Sequence, residues 1–225
     1  MNIMYKQLKR LPLFQGVSTE KITALVEKMP FHFLKYKDNE QIIAAGEPCS
    51  HVKFIVSGQL RLETPFTRLK VSLLQTLSAP QVLAADYLFG RETVYPFSAR
   101  AVGSCGILQL VKSDYIKMIS SDKVFLFNIL NYLSSRSQRG FSSVLAIKDG
   151  SVSERLASIV GAVAASGAKD ITLRYKQKDL CSLLSTQRTT LIAAMDKLSG
   201  QDIIEYDSNE MKILDPRGLF SLLNN

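Results

Sequence analysis

The sequence predicts an α+β chain: an N-terminal antiparallel β-roll of jelly-roll type, then a long helix, then a small domain of short helices closed by a β-hairpin. Three observations predict it. From Phe31 to Leu110 apolar and polar residues alternate in short runs broken by turn residues, the period-2 pattern of strands. From Asp114 to Lys148 the apolar residues recur at steps of three and four, the period of a helix. From Thr172 to Ile213 two short helical patterns, parted by Ser185-Thr186, precede two brief strands.

The 225 residues suffice for two domains with their own cores, and 46% hydrophobic against 21% charged residues fit a globular protein. No apolar run approaches the ~20 residues that span a bilayer. Met1–Lys6 lacks the apolar core and small-residue cleavage site of a secretory signal. Cys49, Cys105 and Cys181 are odd in number and far apart, which argues against a disulfide framework and for a reducing, cytoplasmic setting with no membrane partner.

Taken in order, Leu8–Pro12 leads into Leu13–Val17, and Ser18 is the N-cap of a helix over Thr19–Met29 that packs through Ile22, Leu25, Val26 and Met29. Turns follow at Lys37-Asp38-Asn39, Gly46-Glu47-Pro48 and Ser57-Gly58. The last is expected to join Lys53–Val56 to Gln59–Glu63 as a hairpin. Val71–Leu77, Gln81–Leu83 and Ala99–Leu110 supply further strands. Ser113 or Asp114 starts a short helix, and a longer one follows Ser121-Asp122. Along it Leu126, Leu130, Leu133, Ser137, Gly140, Val144 and Ile147 alternate at four and three residues, an a/d track. That track either packs on its own β-roll or pairs with a second copy, and a homodimer is the expectation.

Asp149-Gly150 is a hinge, and Ser151-Val-Ser-Glu154 is a capping box for a helix to about Ala165. Leu156, Ile159, Val160 and Val163 form its buried stripe, Gly167 ends it, and Ile171-Thr172-Leu173 is a strand. Lys176–Leu184 then suits a short helix with Leu180, Leu183 and Leu184 on one face. Ser185-Thr186 breaks it and caps the next. Gln187–Leu198 forms that next helix, with Leu191, Met195 and Leu198 inward, and Gly200 stops it in a left-handed turn. Ile203–Tyr206, the turn Asp207-Ser208-Asn209 and Met211–Leu214 complete a winged helix-turn-helix, over which Leu219, Phe220 and Leu222 fold back. The expected domains are 1–113, 114–149 and 150–225.

A helix that enters a major groove offers its first turns to base edges. Here those turns carry Gln187, Arg188, Thr189 and Thr190, with Lys176, Lys178 and Lys197 as further cations. The net charge is +8, yet from Ser151 onward nine Lys+Arg meet nine Asp+Glu, so residues 1–150 hold the whole excess. A duplex binder ordinarily carries a basic patch, and this reader is neutral overall.

Ile43-Ala-Ala-Gly46-Glu47-Pro-Cys-Ser-His-Val-Lys-Phe54-Ile55-Val56-Ser57-Gly58 resembles the cyclic-nucleotide-binding β-roll, and Leu11-Pro12-Leu13-Phe14 resembles its usual entry. With the winged helix added, nearly the whole chain is similar to the CRP/FNR family of transcription regulators. The resemblance implies a homodimer joined along the long helix, double-stranded DNA as partner, a small-molecule effector in the β-roll, and RNA polymerase as a further partner.

In cyclic-nucleotide binders of this family a Gly-Glu pair holds the ribose and an Arg about ten residues later binds the phosphate, a task its paired donors suit. Here Ala84-Ala85 stands for Gly-Glu, and Tyr95, or Phe97 in the alternative register, stands for the Arg. Cyclic AMP is therefore not expected to bind in the usual way. Tyr87, Phe89, Tyr95, Phe97 and Ser98 line either an effector pocket or a filled core. No cofactor is expected: three scattered cysteines do not make an iron–sulfur site, and His32 and His51 suit surface or packing roles better than haem ligation.

In the reading helix the family commonly shows Ser-Arg, a Thr and a second Arg. Arg188 matches the first Arg and Thr190 the Thr, while Gln187 replaces the Ser and Ala193 the second Arg, so the operator is not the family's common one. A sensory or protein-interaction module with weak DNA binding is the competing reading. An enzyme is not expected, since no P-loop, metal-spaced His/Cys cluster or Ser/His/Asp arrangement is present.

Overall fold

A computed structural model describes residues 3–66 and 68–224; the side chains of residues 3–5, 142, 144–149 and 224 are outside that description, and with them the a/d positions Val144 and Ile147. The fold is α+β, with eight α-helices and nine strands among the described residues. The chain divides into two compact units, the first formed by Met1–Arg61 and Leu77–Arg136, the second by Leu62–Thr76 and Ser137–Asn225.

In the first unit, α1 (Ile3–Lys9) and a 3-10 turn at Pro12–Phe14 precede α2 (Thr19–Lys28). Helix α1 went unforeseen, because its short apolar run carries neither cap nor stop signal. Ser18 caps α2 by accepting the Lys21 N–H at 3.3 Å. The strands that follow are β1 (His32–Tyr36), β2 (Gln41–Ile43), β3 (His51–Pro65), β4 (Val71–Ser78), β5 (Gln81–Leu83) and β6 (Ser98–Val111), of which β3 belongs to this unit as far as Arg61 and β4 only from Leu77. Strand β6 is its spine, pairing antiparallel with β1, where Leu34 faces Ile107, and with β2. Phe54, Ile55, Leu60 and Ile107 are fully buried in its core.

The expected hairpin at Ser57-Gly58 is corrected: β3 runs unbroken through both residues. Gly58 takes φ +77°, and a Cβ there would collide with the Ser104 carbonyl oxygen of β6. The Ser-Gly pair therefore marks a kink inside a long strand, placed where two backbones approach closely. Helices α3 (Lys112–Ser121) and α4 (Lys123–Asp149) follow.

In the second unit, α5 (Val152–Val163) starts on the foreseen capping box, in which the Ser151 hydroxyl accepts the Glu154 N–H and the Glu154 carboxylate accepts the Ser151 N–H. Hydrogen bonding to the carboxylate by the Ser151 side chain and by its N–H holds the Glu154 carboxyl below the usual carboxylate range. The helix ends at Val163, ahead of Gly167, which turns the loop beyond it at φ +75°. Then come β7 (Lys169–Tyr175), α6 (Gln177–Leu183), α7 (Arg188–Ser199), β8 (Ile204–Tyr206), β9 (Glu210–Ile213) and α8 (Pro216–Ser221).

Strand β7 lies between β9 and the unit's own stretch of β4, antiparallel to both: Val71 faces Tyr175, Leu73 faces Leu173, and Leu173 faces Met211. Val71 and Leu73 are buried in one core with Leu156, Val160, Leu173, Leu180, Leu191 and Met195. The buried amide of Gln75 ties this strand to the end of α5, accepting the Ala165 N–H at 2.8 Å and donating to the Val163 carbonyl at 3.4 Å.

Candidate nucleic-acid interface

Helix α7 owes its orientation to three side chains. Leu191, Met195 and Leu198 stand one helical turn or nearly so apart and are at most 2% exposed. Fully burying three such side chains contributes about 1.5–3 kcal/mol each. With that stripe inward, Arg188, Thr189, Thr190 and Ala193 are necessarily outward, and all four are exposed.

The turn before α7 is set by Ser185, whose φ of +46° is a left-handed conformation. Two expectations about this region are corrected. Neither Ser185 nor Thr186 caps α7; the cap residue is Gln187, extended at φ −83°, ψ 157°, without a side-chain cap bond. Its amide is thus left exposed and unspent. Nor does Gly200 turn left-handed: it stays right-handed at φ −64°, and Asp202, at φ +56°, makes the turn instead. Aspartate tolerates that region through its short polar side chain.

A residue the sequence reading passed over holds the turn. Arg155 of α5 donates from Nη1 to the Leu184 and Ser185 carbonyls at 2.7 and 3.2 Å, and from Nε to Gly150 at 3.0 Å. The guanidinium thereby satisfies carbonyls left open at the end of α6. The only advance signal was an arginine one position after the capping-box glutamate, which says nothing about its target 29 residues on.

Lys178, Gln187, Arg188 and Thr190 line one concavity with Ser182 of α6 and Ser185 of the turn. Thr189 is exposed beside them, and Lys176 is exposed at the N-cap of α6. Lys197 lies apart in the last turn of α7, about 13 Å along the axis from Arg188 at 1.5 Å per residue. The wing carries acid: Glu205, Asp207 and Glu210 flank its turn, with Glu210 paired to Arg174 at 3.2 Å and Glu205 to Lys212 at 3.5 Å. Two backbone N–H groups, of Asn209 and Glu210, hold the Asp207 carboxyl below its ordinary value.

The residues proposed for an effector pocket lie in the first unit. Tyr95 and Phe97 are buried, their rings 6.0 Å apart, and the Tyr95 hydroxyl donates to the His51 carbonyl at 3.2 Å. Burial drives the Tyr95 phenol well above its usual range. Phe89 stacks on Tyr115 at 6.2 Å and lies beneath the Lys112 ammonium. Ser98 accepts the Ala45 N–H at 3.1 Å, and Tyr87 is half-buried beside Asp86. Sequence reading did not single out Lys53, which is buried, donates to Gln109 at 3.0 Å, and is held below the usual lysine range by desolvation. Asp86 pairs with Arg136 of α4 at 2.8 Å. Among the described residues no group of His, Cys, Asp and Glu is placed to hold a metal ion, and no helix is long and apolar enough to cross a membrane.

Comparison with known families matches residues 33–122 to the cyclic nucleotide-binding domain and residues 154–222 to the Crp-like helix-turn-helix domain. Among solved structures, the c-di-GMP responsive global regulator CLP of Xanthomonas campestris is 15% identical, with 88% of this chain and 99% of that one covered at a TM-score of 0.52. A CooA mutant from Carboxydothermus hydrogenoformans is also 15% identical, covering 93% and 92% at 0.50. The catabolite activator protein of Thermus thermophilus is 17% identical, covering 95% and 98% at 0.48. No curated protein sequence matches the chain.

Replacing Arg155 with Met keeps the apolar stem and strands three carbonyls, so it lowers the unfolding free energy of the second unit by about 1.5–3 kcal/mol in chemical denaturation. Arg155→Lys recovers only part of that, because an ammonium cannot reproduce the fork.

Proposed function

The chain belongs to the CRP/FNR family of transcription regulators, and from that premise we propose that it acts as a homodimer reading duplex DNA through α7, without the usual response to cyclic AMP. The observation that carries the reading is the exposure of Gln187, Arg188 and Thr190 at the start of a helix whose opposite face is locked into a core. Arg188 suits a guanine edge and Gln187 an adenine edge, while Thr190 suits a phosphate. Exposed Ala193, where the family sets a second arginine, implies an operator of different sequence.

The functional division proposed is an effector domain over 1–113, a dimerisation helix over 114–149 and a DNA-binding domain over 150–225. Helix α4 supports the dimer. Leu126, Phe127 and Leu130 are 43%, 65% and 52% exposed, and Phe141 is 67% exposed, while Leu133 is half-buried. Phe127, Leu130, Ser134, Ser137 and Phe141 fall at alternating steps of three and four. This face of three exposed apolar residues and two serines shares only Leu130 and Ser137 with the expected a/d track, and it is the face we assign to the partner. Two reading helices about one DNA turn apart then match a two-fold operator. RNA polymerase is a further partner in this reading, and the cytoplasm is where such a regulator meets DNA.

The case against cyclic AMP rests on occupied groups. Tyr95, where the family sets its phosphate-binding arginine, is buried and spends its hydroxyl on a backbone carbonyl. Arg100 is engaged by Asn39 and Gln41 at 3.0 and 2.8 Å. Asp86 adds negative charge within that segment, and Arg136 answers it.

Arg188→Ala is expected to weaken specific binding by roughly 1–3 kcal/mol in gel-shift titrations with a duplex selected from genomic fragments; unchanged binding removes Arg188 from the site. Light scattering at micromolar concentration should return twice the 25.0 kDa chain mass, with Phe127→Glu/Leu130→Glu monomeric. Calorimetric titration with cyclic AMP should show no micromolar binding.

A further inference from the structure

The reader is neutral when counted from Ser151, but the second unit is not that segment alone. It includes Leu62–Thr76, the facing ends of β3 and β4 and the turn between them. This hairpin is bound in by the ladder from Val71↔Tyr175 to Leu74↔Thr172, by Val71 and Leu73 in the core, and by Gln75. Since β7 runs antiparallel to both β4 and β9, two turns lie at its Tyr175 end, where the chain enters α6. One is the wing, whose Asn209 carbonyl accepts the Tyr175 N–H at 2.8 Å. The other is the β3–β4 turn, whose Lys70 carbonyl accepts the Lys176 N–H at 3.0 Å.

Their charges are opposite. The wing presents Glu205, Asp207 and Glu210, and its neighbouring cations Arg174 and Lys212 are paired to two of them. The β3–β4 turn presents Arg68 and Lys70, both exposed and without an ion pair among the described residues. Lys176 and Lys178, exposed on the adjoining end of α6, likewise have none. Phosphates repel the first turn and attract the second.

We propose that the β3–β4 turn is a second DNA-contacting element of the reading unit, in which Arg68 and Lys70, beside Lys176, bind backbone phosphates next to the bases read by α7. The proposal rests on α7 being the reading helix. Contacts of this kind add affinity without sequence preference, so the hairpin supplies the electrostatic term that residues 151–225 lack.

The test uses the full chain and fluorescence anisotropy over a range of salt, with a duplex selected from genomic fragments and a scrambled duplex of the same length. The uncharged variant is Arg68→Asn/Lys70→Gln; asparagine tolerates the left-handed backbone at residue 68 (φ +72°). It should weaken binding to both duplexes by the same factor and flatten the log–log salt slope by about 1 for each cation removed from each bound protomer. Arg68→Lys/Lys70→Arg should retain the parent slope. Arg188→Ala, run alongside, should lose preference for the selected duplex. An unaltered slope in the uncharged variant while Arg188→Ala loses preference overturns the hairpin's role and leaves α7 standing; an Arg188→Ala variant that keeps its preference overturns α7 itself. As a measurement that needs no variant, bound duplex should protect Lys70 of the parent protein from amine-reactive labelling. Full labelling of Lys70 in the complex overturns the proposal.

Discussion

Everything at the candidate interface follows from which face of α7 is locked inward. Leu191, Met195 and Leu198 fill a core they share with Leu156, Val160 and Leu173, so α7 cannot rotate without opening a cavity. That single restriction decides that Arg188, Thr189 and Thr190 meet solvent together. Arg155 then fixes where the helix begins, by holding the carbonyls of the residues just before it. Hydrophobic burial sets the rotation of the exposed face of α7, and one guanidinium sets where that helix starts.

How much of this was legible in the chain depends on range. Helix α2 with its Ser18 cap, the capping box of α5, and the inward stripe of α7 were readable because each is written in residues three or four apart. The boundaries of β4, β5 and β6 were readable to within a residue because alternation and turn residues mark them. What escaped was long-range. A Ser-Gly pair looks the same locally in a hairpin and in a kink; the difference at Gly58 is the carbonyl of Ser104, 46 positions away. Gln187 rather than Ser185 or Thr186 became the cap of α7 because Ser185 was taken for the left-handed step. The partners of Lys53 and Arg155 are set by how strands and helices stack, and no spacing within the chain encodes them.

The charge balance shows the same dependence on range. Counted along the chain, the C-terminal segment is neutral and the excess sits upstream. Assigned by packing, the hairpin with Arg68 and Lys70 belongs with α5, β7 and α7. The wing, meanwhile, spends Arg174 and Lys212 on its own carboxylates. Net charge of a sequence segment is thus a weak guide to the field of a surface whose strands come from distant parts of the chain.

The kink in β3 has a consequence for genetics. The backbone at Gly58 occupies a region that side chains rarely adopt, and a methyl group there meets an oxygen across the sheet. A substitution at this codon disturbs the close approach of β3 to β6 and removes function without touching any residue that binds a partner. The defect is one of assembly, so a map of functional positions drawn from phenotype alone would carry a false landmark in the middle of the β-roll.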